Sequence, residues 1–324
     1  MNKLYTSIPN VNKPVSRILY GTATEPFMSG GDCSELFDKM LALGINTIDT
    51  ARVYKDAEIA LGNWIDQRNN REDIVILSKC AHPEENGRKR VNEREIREDL
   101  KTSLSNLKTK YIDIYLLHRD DPGVPAGEIV EILNALHSEG KIGAFGGSNW
   151  THERIEAANE YAYAHNLIPF TVSSPNFGLA NQIGDPWDGT CVTISGPSNK
   201  AAREWYEKNN MPVIAYSSLG RGLFSGRLKS ADVDNAGKIL DEAAMKGYGY
   251  PDNFERLRRC EIMAAEKGMK VPQIAMAWLF NQKMNSFAVV STSSAERMKE
   301  NIDALNCTLT AEECAILNLE DEQP

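Results

Sequence analysis

Four side chains able to exchange protons fall at corresponding points of one repeating pattern. The stretch Gly44-Ile45-Asn46-Thr47-Ile48-Asp49-Thr50-Ala51-Arg52-Val53-Tyr54 ends an apolar run on an aspartate and places a tyrosine five residues later. The run Ile74-Val75-Ile76-Leu77-Ser78 leads into Lys79, and Ile112-Asp113-Ile114-Tyr115-Leu116-Leu117 leads into His118. Three successive strands thus finish on Asp, Lys and His, with a phenol one turn away. A phenol with an unperturbed pKa of about 10 is a poor proton donor at neutral pH. A Lys79 ammonium beside Tyr54 is expected to lower that pKa, and Asp49 to hold Lys79 charged. Asp49 itself, if buried, needs such a cation. His118 can hydrogen-bond a substrate oxygen and turn a carbonyl toward the acid. None of the four is a strong electron source, so carbonyl reduction here requires a hydride cofactor.

Singly, each residue has a plainer use: an Asp after a strand caps a helix, a Tyr packs in the core, a Lys reaches solvent along an apolar stem. Their common placement at strand ends is what argues for chemistry. The positioning elements read as eight strands alternating with helices. The strands are 17–22, 45–48, 74–78, 112–117, 142–147, 170–174, 213–216 and 287–290. Helices are expected over 32–43 (stripe Leu36, Met40, Leu43), 56–66, 92–107, one burying Ile129, Ile132, Leu133 and Leu136, then 151–165, 198–208, 254–267, 272–282, 295–305 and 311–317. A short hairpin, Leu4-Tyr5 with Pro14-Val15-Ser16, precedes the first strand. Spacings of 30, 39 and 30 residues separate Asp49, Lys79, His118 and Ser148, close to the ~31 per unit of a (β/α)8 barrel of ~250 residues. An open doubly wound sheet would want a glycine-rich turn after the first strand; the chain has Gly21-Thr22-Ala23-Thr24. The expectation is an α/β protein, a (β/α)8 TIM barrel with an N-terminal hairpin and extra C-terminal helices, as one domain over residues 1–324.

Bulk composition narrows the function classes. Hydrophobic residues make up 42% of the chain and charged ones 25%, as in ordinary globular proteins. Apolar runs fall short of the ~18 to 20 residues of a membrane span, and Met1–Asn10 lacks the apolar core of a signal peptide, so a cytoplasmic protein is expected. The six cysteines form no CxxC pair, which favours free thiols over disulfides and leaves no metal site. A net charge of -9 argues against a nucleic-acid partner, with Arg88-Lys89-Arg90 read as a solvated loop.

Longer motifs carry a resemblance. Gly-x-Asn-x-x-Asp-Thr-Ala-x-x-Tyr with Glu58 and Gly62, Ile-Leu-Ser-Lys at 76–79, Tyr-Leu-Leu-His at 115–118, Gly-Ser-Asn at 147–149 and Ala-Tyr-Ser-Ser-Leu-Gly-x-Gly at 215–222 resemble the aldo-keto reductases, from the first strand to Asn301. The resemblance implies reversible reduction of an aldehyde or ketone with NADP(H), bound without a Rossmann fold, and Asp49, Tyr54, Lys79 and His118 as a catalytic tetrad. It implies Ser148 and Asn149 on the nicotinamide amide, Tyr216 stacked under the ring, Gly21 and Thr22 beside the cofactor, and Arg297 and Asn301 at the 2'-phosphate and adenine. Ser174, where many members have Gln, and Ser291 and Thr292 complete the expected cofactor set. Lys55 replaces a common Gly after the tyrosine, and Ser217-Ser218 a common Ser-Pro. Ser291-Thr292-Ser293-Ser294 lacks the Lys or Arg that clamps the 2'-phosphate in many relatives. Arg297 is then the one cation left, NADPH preference is expected to be weaker, and NAD(H) stands as an alternative.

Three other readings stay open: a cofactor-binding regulatory or channel-associated subunit on the same fold, a lyase using Lys79 as a Schiff base, and an NADH-preferring dehydrogenase. Arg297 has its own alternative, an ion pair with Glu296 or Glu300. Substrate choice is expected to lie in the loops 25–31, 82–90 and 175–196, where Trp187 makes either a pocket wall or a surface contact. The partner is a small carbonyl or alcohol, and a monomer is the default the resemblance implies.

Overall fold

Eight parallel strands close into a barrel in the computed structural model, which describes residues 3–187 and 189–320. The first two residues of the N-terminal segment, position 188 of the loop 175–196 and residues 321–324 of the expected domain lie outside that range. A two-stranded antiparallel hairpin, β1 (Tyr5–Thr6) with β2 (Val15–Ser16), precedes the barrel. The barrel strands are β3 (Ile18–Gly21), β4 (Thr47–Asp49), β5 (Val75–Cys80), β6 (Ile112–Leu117), β7 (Ile142–Ser148), β8 (Val172–Ser174), β9 (Val213–Ala215) and β10 (Ser286–Val290), in chain order around the ring. Nearly every strand residue is buried. Strands covered on both faces need apolar side chains on both, hence continuous apolar runs rather than alternation. The chain packs as two compact units, one up to residue 174 and one from 175 onward.

In the first unit, Tyr20, Phe27, Phe37 and Trp64 form a continuous aromatic cluster with ring centroids 5.0 to 6.0 Å apart. It joins strand β3 to the helices Ser34–Ala42 and Ala57–Arg68. Phe37 and Met40 are the buried stripe of the earlier helix, whereas Leu36 and Leu43, expected inside, are only half-buried. On the helix Ala126–Ser138, Ile129, Leu133 and Leu136 are buried as expected, with Val130 and not Ile132 completing the stripe. Large aromatic anchors set the rotation of a helix more strongly than leucine spacing does. Gly62 explains the second helix's approach: a Cβ there would come within 2.0 Å of the Asn106 carbonyl oxygen. At the base, Arg71 pairs with buried Asp113 at 2.7 Å while Lys13 reaches it at 3.5 Å and stacks on Tyr111 with Arg71.

In the second unit, the glycine- and charge-rich segment after β9, for which no helix was expected before 254, contains helices Ala236–Ile239 and Glu242–Tyr248 ahead of Pro251–Glu266 and Val271–Phe280. Asp241 begins the second of these by accepting from Ala244 N–H at 2.7 Å. Such short helices leave too few turns for an apolar period to show. The C-terminal helices Ala295–Asp303 and Ala311–Asn318 match expectation.

Candidate active site

Register places the reactive groups at one rim. Gly21 pairs with Asp49, Lys79 with Leu116, Leu117 with Gly147, and Ser148 with Ser174, all at carboxyl ends of strands, where barrel active sites lie. Lys79 Nζ donates to Asp49 Oδ1 at 2.6 Å and to the Thr50 carbonyl at 3.0 Å. Its remaining N–H serves the Tyr54 phenol, whose ring centroid is 5.1 Å from the ammonium. Thr22 fixes the base of this group, donating its hydroxyl to the Asp49 carbonyl at 3.0 Å.

Tyr54 sits in a tight turn, its N–H bonded to the Ala51 carbonyl, directly before the helix Ala57–Arg68. That helix is tied to the lysine strand from beneath: buried Glu58 accepts from the Ser78 hydroxyl at 2.6 Å and from Asn106 at 3.3 Å. The motif's Glu58 thus sets where the phenol stands relative to Lys79.

Electrostatics correct one expectation. Burial pushes the Tyr54 phenol above its ordinary value, and the attraction of Lys79, though it pulls downward, does not reverse this. Tyr54 therefore carries its proton at neutral pH, and Lys79 stands where it could stabilise a phenolate. Burial alone would lower Lys79, but Asp49 and Tyr54 outweigh it and Lys79 stays above its usual value and charged. Burial holds Asp49 somewhat high despite Lys79. His118 is held well below 6.5, first by burial and then by Lys79, Arg119 and His82, so it is a neutral hydrogen-bonding group. Its ring meets Tyr54 edge-on at 5.6 Å, and its buried Nδ1 has no protein partner.

Ser148 donates to the Ser174 carbonyl at 2.9 Å, and the Asn149 amide reaches the His118 carbonyl at 3.3 Å and the Ser148 hydroxyl at 3.1 Å. Asn149 holds a left-handed conformation, φ 58°, which Asn tolerates better than most residues. The structure thus joins Ser148, Asn149 and Ser174 to the tetrad through His118.

In the second unit, Ser291, Thr292, Arg297 and Asn301 share one cavity of about 750 Å³. Lys229 and Lys270, from outside the strand-end motif, line it too. Arg297 is therefore not its sole cation. Lys270 pairs with Glu300; among the described residues Arg297 pairs with neither Glu296 nor Glu300. The Asn301 side-chain oxygen is buried without a hydrogen-bond partner. Cations, hydroxyls and an unsatisfied acceptor suit a phosphate beside an amino-bearing base. Tyr216 is not in this cavity's lining; its ring is 6.0 Å from that of Trp187, over which the Arg221 guanidinium sits at 5.2 Å.

Sequence reasoning missed His82, which meets the His118 ring at 4.8 Å, and Arg119. Their signal was position alone: three residues after Lys79 and one after His118. The basic run is neutralised as expected of a solvated loop: Arg88 pairs with Glu84 and Glu95, Lys89 with Asp121, Arg90 with Asp99. Among the described residues no His, Cys, Asp and Glu group could hold a metal, and no helix is long and apolar enough to cross a membrane.

The family model for the aldo/keto reductase family matches residues 17–319. Norsolorinic acid reductase A of Aspergillus parasiticus is 27% identical over 98% of this chain and 80% of its own length. Aldo-keto reductase YhdN of Bacillus subtilis is 26% identical over 97% and 92%, and a Schizosaccharomyces pombe protein provisionally named a voltage-gated potassium channel subunit beta is 26% identical over 81% and 76%. Matched over almost all its length, and with the acid, cation and carboxylate at one barrel rim, the chain belongs to the aldo/keto reductase family, oxidoreductases that act on small carbonyl compounds.

Proposed function

We propose that this protein is an NADP(H)-dependent reductase of aldehydes or ketones, acting as a single barrel domain in the cytoplasm, with Tyr54 as general acid. The observation that carries the reading is the chain from Asp49 to Lys79 at 2.6 Å and on to a protonated Tyr54 beside neutral His118. When bound, a reduced nicotinamide supplies the hydride that none of these side chains can. His118 orients the carbonyl oxygen, Tyr54 passes it a proton from its hydroxyl, and Lys79 stabilises the phenolate left behind. In the opposite direction Tyr54 receives the proton. Ser148, Asn149 and Ser174 would hold the carboxamide, Tyr216 the ring face, Gly21 and Thr22 the near edge. Ser291, Thr292, Arg297, Lys229 and Lys270 would meet phosphate, and Asn301 would accept from the adenine amine, relieving an orphaned acceptor that otherwise costs about 1–3 kcal/mol.

A Lys79 held charged by Asp49 is a poor amine nucleophile, against the Schiff-base reading. The regulatory-subunit reading has no observation in its favour here beyond the name of one relative. Tyr54→Phe tests the proposal: turnover should fall about 10²-fold or more while NADPH binding, followed by tryptophan fluorescence, stays within about twofold. Unchanged turnover, or substrate trapped on Lys79 by borohydride, refutes it.

A further inference from the structure

A second cavity, about 650 Å³ and open to solvent, has Lys79 in its wall together with Arg52, His82, Asn86, Arg90 and Asp99. Its charges are mostly spoken for. Arg90 and Asp99 bind each other through two contacts of 2.9 Å, Asp99 also accepts from the Ala81 N–H, Lys79 belongs to Asp49, and Glu84 at the mouth is held by Arg88. Glu85 is exposed at the edge. Arg52 differs. Its backbone is pinned, the N–H donating to the Lys79 carbonyl at 3.0 Å. Yet its Nε is shut off from solvent without a hydrogen-bond partner, and among the described residues its guanidinium enters no ion pair. Its charge is felt by Glu58, whose oxygens are already bonded to Ser78 and Asn106. A guanidinium fork is suited to two-point recognition of an oxyanion, and this one stands two residues before the proton donor.

We infer that Arg52 is the anion anchor of the substrate site: the carbonyl compound turned over here carries a carboxylate or phosphate that Arg52 binds while its carbonyl faces Tyr54. This rests on the reductase reading and adds the substrate's chemical class. His82, in this cavity's lining, packs edge-on against His118 at 4.8 Å, which in turn meets the Tyr54 ring, and so links the cavity to the proton donor.

The test compares 4-carboxybenzaldehyde with its methyl ester, and glyceraldehyde 3-phosphate with glyceraldehyde, in the parent, Arg52→Met, Arg52→Lys and Arg52→Met with Glu58→Gln. Rates are followed by NADPH absorbance and binding to the NADP⁺-saturated protein by calorimetry. The parent should favour at least one anionic member by about tenfold to a hundredfold, mainly through KM, and which pair shows it identifies carboxylate or phosphate. Arg52→Met should collapse the ratio, Arg52→Lys should keep part of it, and adding Glu58→Gln should not bring it back. A parent ratio near one in both pairs, a ratio that Arg52→Met preserves, or its return in the double variant overturns the inference, the last by showing that Arg52 only balances Glu58. If Arg52→Met does not fold, the parent ratios and Arg52→Lys decide. Charge-selective binding without turnover of any compound upholds the anchor and refutes the reductase reading; turnover without charge preference does the reverse.

Discussion

Lys79→Met should destabilise the fold in a way that depends on pH. Asp49 and Lys79 are each only 4% exposed and meet at 2.6 Å. Removing the ammonium leaves a buried carboxylate unpaired, a loss of about 3–5 kcal/mol. Unfolding entropy near 60 °C is about 2.1 cal/mol/K per residue, so 324 residues give roughly 0.7 kcal/mol/K, and the melting temperature should drop by about 4–7 °C. Removing both charges, with Asp49→Asn added, should restore most of it, because no unpaired ion remains. The sign with pH follows from linkage. Without Lys79 the folded pKa of Asp49 rises further above its unfolded value of about 3.9, the folded state holds the extra proton, and stability is lost as pH rises through the interval. The gap between variant and parent should therefore be small near pH 4 and full by pH 8. Circular-dichroism melts across that range read it directly. A variant melting within about 1 °C of the parent at pH 8, or a double variant melting no higher than the single one, would refute the claim that Asp49 and Lys79 form a mutually dependent buried pair.

Gly62→Ala should cost about 3 kcal/mol or more, since its Cβ would meet backbone of Asn106 and Leu107 that cannot yield, whereas Gly31→Ala, with nothing within 4 Å, should melt like the parent. His118 is buried with its pKa depressed, so the unfolded state takes up protons first and stability should fall as pH drops below about 6.5; His118→Leu should lose part of that slope in urea titrations at pH 5 and 7.5. Arg297→Met and Lys270→Met should each lower the ratio of NADPH to NADH affinity, measured as fluorescence dissociation constants, by about tenfold or less for the paired Lys270 and tenfold to a hundredfold for Arg297. A ratio that neither change moves removes this cavity from cofactor selection. Trp187→Ala should alter relative rates across a panel of carbonyl compounds if its ring, set between Tyr216 and Arg221, walls the pocket; uniform rates would assign it to packing.

The barrel and the placement of the rim residues were legible because strands carry their message locally. Apolar runs ending on Asp49, Lys79 and His118 are visible without knowing any neighbour, and parallel topology alone brings such ends together. What escaped depends on contacts remote in sequence. The upward shift of Tyr54 is a competition between burial and Lys79 that only geometry weighs. Lys270 enters the cavity of Arg297 from a helix start 27 residues before it, and no motif spacing announces it. Which face Phe37 presents follows from the aromatic cluster it joins, a contact remote in sequence. Arg52 falls at an unspecified position of the motif that ends on Tyr54; what sets it apart is a missing partner, which a sequence cannot display.

The split of the chain at residues 174 and 175 has an evolutionary reading. All four residues of the tetrad lie before it, and all the residues lining the 750 Å³ cavity lie after it. A single recombination event at that junction would exchange the lineage of the part that holds this cavity while transmitting the part that holds Asp49, Tyr54, Lys79 and His118 unchanged. The cavity and the rim residues can then be inherited separately, and phylogenies built from residues before and after the junction need not agree.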